Sequence, residues 1–308
     1  LFEVVFLGTS ASAPSIQRGL PAQMVLFREN RFLIDCGEGT QRQILQSGLG
    51  FKRLDKVLIT HAHLDHILGL AGLLSTFSRW ETLDRLEIWA GAPALGRIRD
   101  LLFGVVLRGA HPPLQVVLRE IREGLLMEDD YFALSAFPVI HRGGGTFGFL
   151  FEEKPRRPFL VERAEALGIP AGPIRRELVE GKPVRLEGGQ WVEPGEVLGE
   201  LTPGAKLVHV GDCGSTRELV GVCENADSLV IEATYLEVEA EMAAQFAHLT
   251  AHQAACLAKE ANVRQLLLTH ISRRYRDREI LAEAQEVFPN TVIARDFDHH
   301  QVARRKGL

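Results

Sequence analysis

Three features of the 308-residue chain predict an α/β fold. Apolar runs of strand character alternate along it with runs whose apolar residues recur at helical spacing. Several strand-like runs stop abruptly at a histidine or an aspartate, as at Thr60-His61, Ile140-His141, Gly211-Asp212 and Thr269-His270. Hydrophobic residues make up 46 % of the chain, enough to bury a large core, and the length suits about two domains.

Composition bounds what such a fold can do. Cys36, Cys213, Cys223 and Cys256 are scattered, with no C-x-x-C pair, and are expected to be reduced, mostly buried thiols. No apolar run approaches a membrane span and no signal peptide opens the sequence, so a soluble, cytoplasmic protein without a membrane partner is expected. A net charge of −5 gives no global pull toward nucleic acid. Any RNA site has to come from local clusters.

The first strand, Phe2 to Leu7, runs into a small, polar loop, Gly8-Thr9-Ser10-Ala11-Ser12-Ala13-Pro14. Two further strands, Ala22 to Arg28 and Arg31 to Asp35, flank a tight turn. A helix then follows with Ile44 and Leu45 on its buried side. Asp35 suits a turn residue, and equally a support that accepts hydrogen bonds from a ligand loop.

The chain is organised around Val57-Leu58-Ile59-Thr60-His61-Ala62-His63-Leu64-Asp65-His66. On extended backbone the period of two puts His61, His63 and Asp65 on one side, and His66 joins them only if the chain turns. A turn is expected, because Asp65 is a good N-cap and Ile67, Leu68, Leu70, Leu73, Leu74 and Phe77 form a helical apolar face. Two histidines suit one zinc, and Asp65 with His66 suits a second ion. The bland alternative is a polar loop with solvated histidines.

A strand at Arg85 to Ala90, a helix from Pro93 to Leu107, and strands near Leu114 to Arg119 and Tyr131 to Ile140 come next. His141 ends the last of these and is placed like a third ligand for the first ion. Residues 152 to 203 differ in character. Glycine, proline and charge dominate, a short helix near Val161 to Leu167 is expected, and the segment looks too poor in apolar periodicity for a core of its own. Between Lys154 and Arg185, eight basic residues stand against four acidic ones, which fits either a solvated excursion or an arm that grips phosphates.

The chain then returns to strands at Lys206 to Val210, Ser228 to Ile231, Leu266 to Leu268 and Thr291 to Ala294. Asp212, at a strand end, is placed to bridge two ions, since a carboxylate has two oxygens to share; a helix-capping aspartate is the alternative. His248 precedes a helix and can point toward the metals, whereas His252 packs or faces solvent. Asp296 to His300 is taken as surface, and the Arg304-Arg305-Lys306 tail as a weak RNA contact.

The H-x-H-x-D-H run resembles the signature of the metallo-β-lactamase superfamily of binuclear zinc hydrolases. Three runs together narrow the resemblance: Phe6-Leu7-Gly8-Thr9-Ser10-Ala11-Ser12-Ala13-Pro14, Ile34-Asp35-Cys36-Gly37-Glu38-Gly39-Thr40-Gln41-Arg42-Gln43, and Ile59 through Leu70. In this order they look like the ribonuclease Z family of tRNA 3′-processing endonucleases. Ala164-Glu165-Ala166-Leu167-Gly168-Ile169-Pro170-Ala171-Gly172-Pro173 and Leu178-Val179-Glu180-Gly181-Lys182-Pro183-Val184 are similar to that family's tRNA-binding arm, or exosite.

The resemblance implies an αββα sandwich of two mixed sheets flanked by helices, spanning residues 1–308, with residues 152–203 as an inserted arm. It also implies two zinc ions, one on His61, His63 and His141, the other on Asp65, His66 and His270, with Asp212 between them. Asp65 would orient or deprotonate the nucleophile, and His248, polarised by Glu232, would protonate the leaving group. Arg156, Arg157, Arg163, Arg175, Arg176 and Lys182 would contact a precursor tRNA, in a homodimer. Three departures stand out: Cys213 for threonine, Ile231 for histidine, and Ile16 and Gly19 for lysine and asparagine in the Pro14–Gly19 loop. An arylsulfatase-like or cyclic-nucleotide phosphodiesterase of the same fold would keep the seven ligands without needing the arm. A non-catalytic RNA-binding metalloprotein would not need His248.

Overall fold

The structure, a computed structural model, describes residues 1–80, 83–110 and 112–304. Among these, two seven-stranded sheets carry the fold. The first contains β1 (Glu3–Gly8), β2 (Ala22–Phe27), β3 (Asn30–Ile34), β4 (Lys56–Leu58), β5 (Arg85–Ala90) and β6 (Gln115–Glu120), with a late strand outside β1. The antiparallel pairs β1–β2–β3 pass into parallel pairs from β3 to β6. The second contains β7 (Gly124–Glu128), β8 (Phe132–Pro138) and β9 (Phe147–Glu153), the last antiparallel to a later strand, β12 (Lys206–Gly211). From β12 the sheet continues in parallel through β13 (Ser228–Glu232), β14 (Leu266–Thr269) and β15 (Thr291–Ile293).

The period of two assigns each strand residue to a layer. Phe2, Val4 and Phe6 face between the sheets, where they meet Phe32, Phe132, Phe149, Phe151, Leu207 and Val230. Val5 and Leu7 turn outward. There α1 (Thr40–Gln46), α2 (Leu64–Ile67), α3 (Gly69–Trp80) and α4 (Ala92–Arg99) lay down Ile44, Ile67, Leu73, Phe77 and Ile98. On the opposite outer face, Ala254, Ala258, Ile280 and Ala284 cover Val208, Ile231 and Leu268. Each fully buried Val, Leu, Ile or Phe among them contributes roughly 1.5–3 kcal/mol and each alanine less, and the two outer layers and one middle layer make the αββα arrangement.

Among the described residues, 1–152 and 205–304 form one compact unit, and Glu153–Gly204 form another. The second unit has a core, which corrects the expectation that it has none. Its α5 (Val161–Ala166), α6 (Pro173–Val179), α7 (Pro194–Val197) and the hairpin of β10 (Val184–Arg185) and β11 (Trp191–Val192) bury Ala164, Ile169, Leu178, Val184, Val192 and Val197. Each short element supplies one of these residues and the loop after α5 supplies Ile169, so no single helical or strand period reveals them.

Other expectations are corrected locally. Leu45 is 50 % exposed and only Thr40 and Ile44 of α1 are buried. The N-cap of α2 is His63, with Asp65 inside the first turn, and Leu68 is 39 % exposed. The helix expected to reach Leu107 gives way at Asp100 to a π-helical stretch, Asp100–Leu107, which holds Gly104, Val105 and Val106, poor α-helix formers. Part of the segment taken as surface is a strand, β16 (His299–Gln301), antiparallel to β1. Arg305 and Lys306 of the tail lie outside the described residues. No helix among the described residues is long and apolar enough to cross a membrane. The four cysteines are free, three of them buried.

Candidate metal centre

The ligand loop after β4 is pinned by Asp35, just beyond β3. Its Oδ1 accepts from the Thr60 amide at 2.8 Å, and its Oδ2 accepts from the Thr60 hydroxyl at 2.8 Å and from His66 Nδ1 at 2.7 Å. Asp35 does this at φ 57°, a region that aspartate enters more readily than most residues. It is turn residue and support at once. The single turn of α2 brings His66 back beside His61, with ring centroids 4.1 Å apart.

Two more strands deliver their ligands through irregular backbone. The β12–β13 register shifts between His209 and Gly211, and Gly211 turns at φ 75° to present Asp212. A Cβ at Gly211 would stand 3.1 Å from Thr60 Cγ2, so glycine answers both the angle and the close approach. His270, directly after β14, sits at φ 55°, a strained conformation that its surroundings hold in place.

The donors converge on one carboxylate oxygen. Asp212 Oδ2 lies 3.5 Å from His66 Nε2 and from His270 Nε2, 3.7 Å from His61 Nε2 and 3.9 Å from His141 Nε2. Asp65 Oδ2 is 3.7 Å from both His66 Nε2 and His270 Nε2, while His63 Nδ1 is 3.3 Å from His141 Nε2. Ligand atoms of His61, His63, His141 and Asp212 all lie within 4.8 Å of one another, as do those of Asp65, His66 and His270.

Whether these residues suit zinc is decided by the far side of each ring. Four histidines have Nδ1 held by oxygen: His61 by Thr60 Oγ1 at 2.9 Å, His66 by Asp35, His141 by Ala247 O at 2.8 Å and His270 by Thr234 Oγ1 at 2.9 Å. That turns Nε2 inward, the arrangement metal-bound histidines use. Nε2 of His61, His66 and His270 is buried without a hydrogen-bond partner, which is costly unless a cation meets it. Burial holds His61, His63 and His141 in the neutral form that ligation needs. At His66 burial acts the same way, but the carboxylates of Asp212 and Asp35 outweigh it. The two donor clusters, joined by Asp212, fit a binuclear zinc centre.

Glu232 is the hub behind this centre. Fully buried, it accepts at Oε1 from the Cys213 amide at 2.7 Å and holds His248 Nδ1 at 2.9 Å, and at Oε2 it accepts from Thr234 Oγ1 at 2.5 Å. His248 stands at the rim, stacked on His270 with ring centroids 5.3 Å apart. Burial disfavours its imidazolium, yet the Glu232 carboxylate raises its pKa to about 9.

Comparison with known proteins agrees with this geometry. The model for anti-Pycsar protein Apyc1 matches residues 2–112, and that for the beta-lactamase superfamily domain matches residues 179–271. A ribonuclease Z of Bradyrhizobium diazoefficiens is 48 % identical over 299 residues, 97 % of this chain and 99 % of the relative. The chain belongs to the ribonuclease Z family. A ribonuclease Z of Archaeoglobus fulgidus is 39 % identical, with 96 % of each chain covered. The crystal structure of human tRNase Z, short form, has a TM-score of 0.70 at 27 % identity, covering 98 % of this chain and 99 % of the human one.

Against the family pattern, the structure brings His61, His63, Asp65, His66, His141, Asp212 and His270 together, with His248 and Glu232 beside them. Ile231, where histidine is the pattern, is fully buried in the apolar layer of the second sheet. Thr60, Thr234 and Ala247 hold ligand histidines and carry no signal of their own. Asp296 was grouped with the surface, yet it accepts from Thr9 Oγ1, the Gly19 amide and Gln43 Nε2, at 2.6 to 2.7 Å. Of the six arm cations, Arg156, Arg157, Arg163, Arg176 and Lys182 are exposed, whereas half-buried Arg175 donates to Ile169 O at 2.8 Å and lies 5.8 Å from the Phe159 ring centre.

Proposed function

We propose that this chain is a zinc-dependent endoribonuclease that cleaves the 3′ trailer from tRNA precursors, leaving a 3′-hydroxyl on the tRNA and a 5′-phosphate on the trailer. One observation carries the reading: Asp212 Oδ2 lies 3.5 to 3.9 Å from histidines of both donor clusters, in a chain that matches a ribonuclease Z over 97 % of its length. His61, His63 and His141 would hold one zinc, Asp65, His66 and His270 the other, with Asp212 between them. Bound there, the pair would acidify a water and neutralise charge growing on the phosphoryl oxygens.

Asp65 orients the attacking water or takes its proton. Burial alone would raise its pKa, but the neighbouring His270 and His66 hold the carboxyl well below the usual carboxylate range, and the Ser12 amide donates to Oδ2 at 3.1 Å. His248 donates to the departing 3′ oxygen. Because Glu232 engages Nδ1, its Nε2–H is left for the leaving group. Attack by water means that the 2′-hydroxyl is not needed as a nucleophile.

A cleft of about 600 Å³, whose wall includes Ile271, the residue after His270, along with Ser15, Gln17, Arg18, Arg273, Tyr275 and Arg295, has room for nucleotides flanking the cut. Arg18 is scaffold there, since its guanidinium is spent on Asp277 at 2.8 Å, Thr9 Oγ1 and Ala294 O. Residues 152–203 serve as the tRNA-binding arm. Its grip must be local, because ten acidic residues accompany the eight basic ones over that span. The exposed Arg156, Arg157, Arg163, Arg176 and Lys182 are the phosphate contacts, and Arg175 is structural. Family resemblance supports a cytoplasmic homodimer in which the arm of one subunit holds the tRNA cut by the other.

Cleavage of a 3′-extended tRNA precursor tests the reading, because an open two-zinc site hydrolyses small phosphodiesters whatever its natural substrate. The expected products are one tRNA ending in a 3′-hydroxyl and one trailer with a 5′-phosphate. Zinc-loaded protein that hydrolyses bis(p-nitrophenyl) phosphate but leaves the precursor intact would favour the arylsulfatase-like or cyclic-nucleotide alternative.

A further inference from the structure

Beside Asp212 lies a void of about 10 Å³, close to the ~10–15 Å³ that one water needs. Gln23, His66, His209, Asp212, Thr269 and His270 are among its walls. Three polar atoms of these walls have no hydrogen-bond partner and do not belong to the inward-facing set of ring nitrogens: Asp212 Oδ1, His209 Nδ1 and Thr269 Oγ1. Their residues are 2 %, 2 % and 4 % exposed, so bulk solvent does not satisfy them. Asp212 faces the histidines with its other oxygen, Oδ2.

Donor and acceptor roles follow from the neighbours. Gln23 Nε2 donates to Gly8 O at 3.4 Å, which makes its Oε1 the acceptor for His209 Nε2–H at 3.1 Å. His209 Nδ1 is then a bare acceptor. Asp212 Oδ1 is also an acceptor, and the Thr269 hydroxyl carries a proton to give. Two acceptors and one donor are what a single water can meet, with its two protons and one of its lone pairs.

From this convergence we infer a single buried water that donates to Asp212 Oδ1 and His209 Nδ1 and accepts from Thr269 Oγ1, making His209 and Thr269 positioning residues for the carboxylate between the zincs. The inference rests on the zinc reading of the site. It gives Asp212 support from both sheets, because His209 lies on β12, Thr269 on β14 and Gln23 on β2. The carboxylate's two oxygens then divide the work, Oδ2 toward the metals and Oδ1 toward the water.

Thr269→Val tests this, since it removes the hydroxyl at nearly constant volume. In chelator competition the variant is expected to bind zinc about tenfold more weakly, the lower end of what loss of an outer partner of a ligand costs, because Thr269 acts on Asp212 through the water. Thr269→Ser should restore the affinity, and the melting temperature of metal-free Thr269→Val should match that of the metal-free parent. A high-resolution crystal structure of the parent protein should show one water within hydrogen-bond reach of all three atoms. Zinc affinity of Thr269→Val within twofold of the parent, or no ordered water at that place, would overturn the inference. Zinc binding by the parent in the same titration judges the metal centre separately.

Discussion

His248→Ala is expected to lower kcat for precursor cleavage by ~10²–10⁴-fold, the usual worth of a general acid, while both zincs stay bound. The departing 3′ oxygen of a nucleotide is a poor leaving group without a proton, and His248 is the side chain that Glu232 equips to supply one, at 2.9 Å. Glu232 is the less clean probe. Through Thr234 it also steadies His270, so its removal disturbs the proton donor and a ligand together. The competing role for His248 is concrete, because one of its ring nitrogens lies within 4.8 Å of ligand atoms of Asp212 and His270. Metal analysis of His248→Ala separates the two: zinc content matching the parent keeps it as the acid, and loss of a zinc makes it a ligand.

Removing residues 157–201 and joining the ends is expected to raise KM for precursor tRNA sharply and to flatten the salt dependence of binding, because fewer phosphate counterions are released. The ends of the segment are already together. Arg156 and Thr202 exchange backbone hydrogen bonds at 3.1 and 2.9 Å, so a short join spans the gap. Since Glu153–Gly204 form a compact unit with their own buried cluster, the deletion removes a folded piece rather than half of a shared core. Hydrolysis of bis(p-nitrophenyl) phosphate should survive, as no proposed metal ligand lies in the segment. Equal loss of both activities, in a variant that still folds and holds two zincs, would argue against a tRNA-binding arm.

Much of the first sheet was legible because its strands are short apolar runs with clear stops, and Arg85–Ala90 forms a strand over the span its pattern indicates. The residues that converge at the candidate metal centre were legible for a related reason: histidine and aspartate at the end of an apolar strand are conspicuous. Their supports were not, because Thr60, Thr234 and the Ala247 carbonyl act through single hydrogen bonds that no periodicity records. Asp65 illustrates a subtler failure. Its good N-cap propensity pointed to the helix start, but its Oδ2 lies with His66 and His270, and His63 takes the cap position. The core of Glu153–Gly204 escaped notice because a cluster drawn from five two- to seven-residue elements has no single period to detect.

The most direct test of a two-zinc centre joined by Asp212 is activity against zinc content. Metal-free protein would be titrated with zinc while bound metal per chain and precursor cleavage are followed together. Seven ligands cannot crowd around one tetrahedral ion, so cleavage is expected to remain low through the first equivalent and to reach its plateau only as the second binds. Full activity with one zinc per chain, or with none, would contradict the account.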